Sequence, residues 1–264
     1  MPHLLILFIL FVNSHAGYAS EESSQLISGD SSSRRLLRAA YTEFPPYTYT
    51  DSAGKPAGIY IDLFLKTVEN AGYHGEFFSA PNARIYFMLK AGEIDLWLGV
   101  ADTPALQAHV VEVPVDPFSI TLKLWYMNGT KPANSLLDVG NKKLVVINGF
   151  TYSNIVDQAN SDLSESGESL SVLKSSGHAS ALKILASGRA DYMLNYEEPV
   201  KEMLKINPVP DLNGSLIRKR RLAFVISKYR EGSAQIHKDL SQSFEAIKDI
   251  YWPAKREAAM EFSQ

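Results

Sequence analysis

The chain has 264 residues, of which 45% are hydrophobic and 21% charged, and a formal net charge of −3. This composition supports a buried core and excludes wholesale disorder, while the weak acidity argues against nucleic acid or an anionic membrane as a partner. There is no cysteine, so disulfides, thiolate metal sites, a cysteine nucleophile and a lipid-modified N-terminal Cys are all excluded.

Leu4 to Val12 is an uninterrupted apolar run. It is shorter than the ~20 residues a membrane span needs. Small residues follow at Ala16, Gly17 and Ala19. The pattern reads as a secretory signal peptide over 1–19, cleaved after Ala19, with Ala16 as a second option. The expected location is therefore the periplasm. Ser20 to Ser33 is polar and serine-rich, and 20–35 reads as a flexible leader.

The folded body is expected to begin near Arg34. Leu36 to Tyr41 predicts a first strand, and Gly54-Lys55-Pro56 marks a hairpin-like turn. Apolar residues at Ile61, Leu63, Phe64, Val68 and Ala71 follow helical spacing, with Gly72 closing the helix. A strand is expected from Phe77, a helix over 83–90 and a strand over 94–100. Further strands are expected at 120–126 and 142–147. Thr151 is placed to N-cap a helix through Ile155, Val156 and Ala159. Asp162 to Ser171 is polar and reads as a loop. A helix over 179–187, strands at 191–194 and 222–227 and a C-terminal helix over 233–262 complete the chain. Alternating strands and helices predict an α/β fold with mostly parallel sheets.

One internal similarity stands out. Met88 to Leu98 reads MLKAGEIDLWL, and Ile184 to Leu194 reads ILASGRADYML. Both carry a glycine suited to a left-handed helix end, and three residues later an aspartate that opens an apolar strand. The two copies suggest two similar lobes. Other chemistry finds no support. His74, His109, His178 and His237 show no metal-ligand spacing, and no metal or cofactor is expected. No nucleophile elbow, phosphate loop or dinucleotide fingerprint occurs. Arg218-Lys219-Arg220-Arg221 reads as a solvated basic stretch.

Four segments occur in a characteristic order: Glu43-Phe44-Pro45-Pro46-Tyr47 after the first strand, Gly58-Ile59-Tyr60-Ile61-Asp62-Leu63, Leu89-Lys90-Ala91-Gly92-Glu93-Ile94-Asp95 and Gly188-Arg189-Ala190-Asp191. Together they resemble the extracellular solute-binding protein family 3, the bilobal periplasmic proteins that serve amino-acid and related ABC importers. The resemblance covers about 36–262. It implies a periplasmic-binding-protein type II fold, two α/β lobes joined by two crossing strands. Lobe 1 would comprise 36–126 and 222–264, and lobe 2 would comprise 127–221, with crossings near 124–128 and 217–222. Ligand would bind in the cleft, and the closed form would be read by a membrane permease or a membrane sensor. The family expectation is a monomer without catalytic activity.

Carried over by position, Phe44 is the lobe 1 aromatic that stacks on ligand. The turn from Gly99 to Thr103, including Asp102, is the site of carboxylate contact. Asn148-Gly149-Phe150-Thr151 is the matching turn of lobe 2, where the Thr151 hydroxyl would bond the same carboxylate, and Tyr152 beside it adds aromatic surface. The carboxylate-clamping arginine expected after Thr103 is missing, and Tyr196 stands where an ammonium-binding aspartate is usual. Arg84 is the candidate replacement cation and Glu197 the candidate replacement carboxylate. Tyr41, Tyr47 and Trp97 add aromatic surface. These changes admit a neutral, aromatic or sugar-like ligand. A few proteins of this fold are cyclohexadienyl dehydratases, and Glu43, Asp102 and Glu197 are the carboxylates available for that chemistry.

Overall fold

A computed structural model describes residues 34–150 and 152–261; the expected signal peptide and most of the leader lie outside the described residues. Strands β1 (Leu36–Tyr41), β4 (His74–Ser79), β5 (Leu96–Val100), β6 (Val110–Met127), β7 (Lys143–Ile147), β8 (Ser171–Ser175), β9 (Tyr192–Tyr196) and β10 (Leu212–Ser227) form one sheet. The short strands β2 (Tyr49–Thr50) and β3 (Pro56–Ala57) pair as a separate hairpin. The helices are α1 (Ile59–Asn70), α2 (Asn82–Ala91), α3 (Ile155–Ser164), α4 (His178–Ala186), α5 (Glu197–Ile206) and α6 (Ser233–Glu261).

The strand order, β4-β1-β5-β10-β6-β9-β7-β8, is a structural palindrome. At one end β1 lies parallel between β4 and β5, and at the other β7 lies parallel between β8 and β9. The two long strands β6 and β10 run antiparallel to each other through the middle. The later part of β10 pairs with β5, and the later part of β6 pairs with β9. Register shifts fall at Leu216/Arg218 and Arg221/Ala223, where β10 passes from one half to the other; bulges supply such bends. One apolar core runs through both halves and includes Leu37, Phe64, Leu124, Leu144 and Phe224. Separate clusters pack under α2 and under α4 and α5. Strands β5 and β9, with helices on both faces, are buried almost throughout, as parallel central strands are.

The paired motifs of the sequence account for this symmetry. Gly92 and Gly188 both take left-handed φ, at 67° and 70°, where a side chain would be strained. The FPPY segment is tied down by α1. The amides of Ile59 and Tyr60 donate to the carbonyls of Pro46 and Tyr47 at 3.1 and 2.8 Å. Gly58 has φ 121°, and a Cβ there would fall 2.3 Å from the Tyr47 carbonyl oxygen. A glycine at this point lets the helix start against the loop.

Several expected elements differ. β6 begins ten residues before Ile120 and β10 ten before Leu222, because pairing along two long strands extends each beyond its apolar segment. β8 and α5 are additions to the expected elements: β8 is mostly exposed, and α5 is a polar helix that opens on Glu197-Glu198-Pro199. α3 continues to Ser164, so part of the expected loop at 162–171 is helical. Its N-cap is Asn154, at φ 62°, rather than Thr151, and Thr151 lies outside the described residues. A 3-10 turn over Tyr152–Asn154 displaces the helix start.

Candidate functional site

The two halves of the sheet meet over a cavity of about 60 Å³. Phe44, Tyr47, Tyr60, Tyr86, Trp97 and Thr103 line it from the first half, and Phe150, Tyr152 and Tyr196 from the second. No charged side chain lines it among the described residues. The wall is held by ring contacts across the halves and within the second. Phe44 meets Tyr196 edge-on at 5.2 Å between centroids and His178 at 5.6 Å. Phe150 packs on His178 at 5.5 Å, and Tyr152 stacks on Tyr196 at 6.1 Å. Aromatic pairs of these kinds contribute about 0.5–1.5 kcal/mol each beyond their burial.

Backbone geometry positions these rings. The turn after β5 carries Asp102 at φ 56°, and the turn after β7 carries Tyr152 at φ 45°. Left-handed φ at a non-glycine residue costs roughly 1–2 kcal/mol, so each turn is held by its surroundings. The Tyr152 hydroxyl accepts the Ile147 amide at 2.9 Å, fixing the ring over its own strand end. Trp97 lies over Gly99, where a Cβ would come within 2.2 Å of the indole. The missing side chain at Gly99 makes room for the ring. Thr103 is buried, and its hydroxyl donates to the Val100 carbonyl at 2.9 Å. Asn82 accepts from the Thr42 hydroxyl at 2.5 Å.

Of the residues expected at the site, Phe44, Tyr47, Gly99, Thr103, Phe150, Tyr152 and Tyr196 line the cavity. The charged candidates do not. Arg84 is exposed; its guanidinium faces Glu93 at 3.6 Å and lies 5.5 Å from the Phe87 ring. It sits on the solvent side of α2, whereas Asn82 and Tyr86 of the same helix line the cavity. Glu43 accepts the Thr50 amide and hydroxyl at 2.9 and 2.7 Å and serves the β2–β3 hairpin. Asp102 is exposed and pairs with Arg221 at 3.0 Å. Gly149 is half-buried at φ 79° and does not line the cavity. Tyr41 is a core residue bonded to Thr50.

Glu197 faces a second pocket, of about 480 Å³, lined also by Lys123, Glu198, Lys201 and Lys219. Tyr47 borders both spaces. Glu197 pairs with Lys123 at 2.7 Å and Lys201 at 3.4 Å. Burial raises its pKa, but the two lysines outweigh burial and hold the carboxyl below its ordinary range. At neighbouring Glu198 burial outweighs the backbone hydrogen bonds and the Lys201 charge. Desolvation pushes it up to about 7, although the Thr121 amide donates to it at 3.0 Å.

The basic run is divided. Arg218, Lys219 and Arg221 are exposed, as expected, but Arg220 is buried. Its guanidinium donates to the carbonyls of Ala101 and Asp102. Sequence reasoning missed this residue, together with Tyr60, Tyr86, Asn82 and His178. Alternation along β10 is the only signal that separates Arg220 from its neighbours. His178 is held by Asn195, with Nδ1 2.8 Å from Oδ1. Burial lowers its pKa, outweighing the Asn195 bond and the Glu43 main chain, which favour the charged form. Among the described residues no His, Cys, Asp and Glu cluster is arranged to hold a metal ion, and no helix is long and apolar enough to cross a membrane.

Comparisons agree with this architecture. A sensor domain of a histidine kinase with similarity to periplasmic binding proteins shares 20% identity, with TM-score 0.72 over 85% of this chain and 96% of that one. An ancestral arginine-binding protein bound to arginine shares 23%, with TM-score 0.69 over 85% and 98%. An ancestral amino-acid-binding protein described as a precursor of cyclohexadienyl dehydratase shares 19%, with TM-score 0.66 over 84% and 94%. At these identities the likeness shows the fold, that of the type II periplasmic binding proteins. No curated protein sequence gives a significant match. The sequence model of the bacterial extracellular solute-binding proteins, family 3, matches residues 37–249. The palindromic sheet, the cavity at its centre and this match agree: the chain belongs to the bacterial extracellular solute-binding proteins, family 3.

Proposed function

We propose that this protein captures a small solute in the cavity between two lobes, 36–126 with 222–264 and 127–221, and carries it in the periplasm after removal of a signal peptide. The observation that carries the reading is the Phe44–Tyr196 contact, which joins the two halves directly over the cavity. A contact made only when the halves approach is what hinge closure around a ligand requires. The closed form then presents one surface to a membrane permease. The neutral lining departs from what an α-amino acid needs, since no side chain there pairs with a carboxylate or an ammonium. The same absence weighs against a dehydratase, whose general acid must reach the substrate. Glu43, Asp102 and Glu197 all lie outside the lining.

Thermal unfolding of the refolded mature protein against amino acids, amines, carboxylates, sugars and aromatic metabolites tests the reading. A ligand at a hundred times its dissociation constant adds ~2.7 kcal/mol of stability, and the midpoint of a chain this size then rises by roughly 2–4 °C. At least one class is expected to give that shift and to reduce the radius of gyration in solution scattering. No shift and no compaction across the panel would sink the proposal.

The sensor-domain neighbour motivates a second reading, in which the same closure reports to a membrane sensor. Binding of the closed form to a purified permease, or to a sensor ectodomain, separates the two.

A further inference from the structure

Two polar groups at the cavity are not used by the fold. Trp97 and Tyr60 both line it, and both are almost completely buried. Neither the Trp97 Nε1 nor the Tyr60 hydroxyl has a hydrogen-bond partner among the described residues. Buried polar groups of this kind are rare in native proteins and call for a specific explanation. Other tyrosines and tryptophans nearby are satisfied. Trp125 donates to the Asn195 carbonyl, and Tyr152 accepts from Ile147. His178 Nε2 and Glu198 Oε2 also lack a partner among the described residues, but of the four only the Trp97 Nε1 and the Tyr60 hydroxyl belong to residues that line the cavity.

Their chemistry restricts what satisfies them. An indole N–H only donates, so its partner is an acceptor. The faces and edges of Phe44, Tyr152 and Tyr196 surround the rest of the space and favour a flat apolar body. Aromatic walls also attract cations, but here no carboxylate lines the cavity, the unpartnered indole donates, and the Arg220 guanidinium lies on the adjoining turn. Those features repel a cation. A carboxylate would need a charged partner: none lines the cavity, and the Arg220 guanidinium is committed to the Ala101 and Asp102 carbonyls. Size adds a constraint: a benzene-sized ring occupies a cavity of roughly 150 Å³, against about 60 Å³ here. A ring therefore enters the open form, and the halves close over it with the cavity widened beneath the Phe44–Tyr196 contact.

We propose that the cavity takes an uncharged aromatic molecule bearing a hydrogen-bond acceptor, with Trp97 and Tyr60 as its donors. This rests on the solute-binding reading and names the class of solute.

Four single-ring probes test it: acetophenone, toluene, benzoate and benzyltrimethylammonium. Binding is followed by ¹⁵N-labelled indole resonances of the full mature protein, with Trp97 assigned by the peak lost in Trp97→Phe. Acetophenone is expected to bind about tenfold more tightly than toluene and to move the Trp97 Nε1–H resonance downfield. Tyr60→Phe, which keeps the ring, is expected to reduce the acetophenone preference several-fold. Equal binding of toluene and acetophenone, tighter binding of either ion, or an unmoved Trp97 resonance overturns the proposal. If the solute panel yields a ligand of another class while acetophenone fails, only this assignment falls. If the panel and all four probes fail together, the solute-binding reading falls with it.

Discussion

Asp95 and Asp191 make the same pair of backbone bonds at opposite ends of the sheet. Asp95 accepts the Arg38 amide at 2.9 Å and returns its own amide to the Arg38 carbonyl at 3.0 Å. Asp191 does so with Lys143, at 2.8 and 2.9 Å. Each aspartate thereby locks the start of the third strand of its half against the first. The surroundings differ. Asp95 is fully buried between Arg35 and Arg230, at 3.3 and 2.9 Å, whereas Asp191 is half-buried and has no ion pair within 4 Å among the described residues. Asp95→Asn is therefore expected to cost about 2–4 kcal/mol, because two arginines lose a buried partner. Asp191→Asn is expected to cost about 1 kcal/mol. Urea unfolding of both variants checks the order; equal losses would mean that the arginines contribute nothing.

Phe44 links the halves through Tyr196 and His178. Phe44→Ala removes both ring pairs while leaving Glu43 on its hairpin. The expected result is a loss of about 1–3 kcal/mol in stability and a weakening of ligand binding by about tenfold or more. Solution scattering should show a larger radius of gyration for the variant in the presence of ligand. An unchanged compact form would remove Phe44 from the closing contact.

Arg220 and Arg221 are adjacent and face opposite environments. Arg220 serves the carbonyls of Ala101 and Asp102 from a buried position, and Arg221 pairs with Asp102 at the surface. Arg220→Met keeps the apolar stem and leaves two carbonyls without their donor, at a cost of about 2–3 kcal/mol. Arg221→Ala is expected to cost less than ~1 kcal/mol, as exposed pairs do. Chemical denaturation of the two variants under one buffer distinguishes them, and a larger effect at Arg221 would contradict this account of the turn.

Glu198 makes stability depend on pH. Desolvation raises it from an ordinary 4.5 to about 7. Between those values the folded chain holds a proton that the unfolded chain has lost, so stability falls as pH rises through this window and levels off above about 7. Glu198→Gln should remove that slope and gain on the order of 2–3 kcal/mol relative to the parent at pH 8. His178, held low by burial, contributes the opposite slope in acid, so the informative quantity is the difference between parent and variant measured at pH 5 and pH 8. A difference that does not change between the two pH values refutes the role of Glu198.

Much of the fold was legible because its signals are local. Gly92 and Gly188 end helices by their backbone freedom, and the aspartates that follow open buried strands, so the repeated motif foretold equivalent sheet ends. The FPPY and GIYIDL segments marked a loop held by a helix start. The site was legible only in part. Phe44, Thr103 and Tyr196, singled out by their place in the family pattern, and Tyr152, singled out as an aromatic, line the cavity, while Arg84, chosen for its charge near a helix start, does not. Its side of α2 faces Glu93 and solvent, and a single turn of helix decides between that side and the one carrying Asn82 and Tyr86.

The sequence by itself determined most of the element types and the repeat, because these depend on residue identity and short spacings, while β8 and α5 escaped it. Only the tertiary structure decided which side chains share the cavity. Tyr60, Trp97 and Tyr196 come from different elements, and long-range strand pairing brings them together. That pairing also decided that Arg220 is buried while Arg221 is exposed. The environment of each group, and hence its charge and its unmet hydrogen bonds, is set by neighbours far away in the chain.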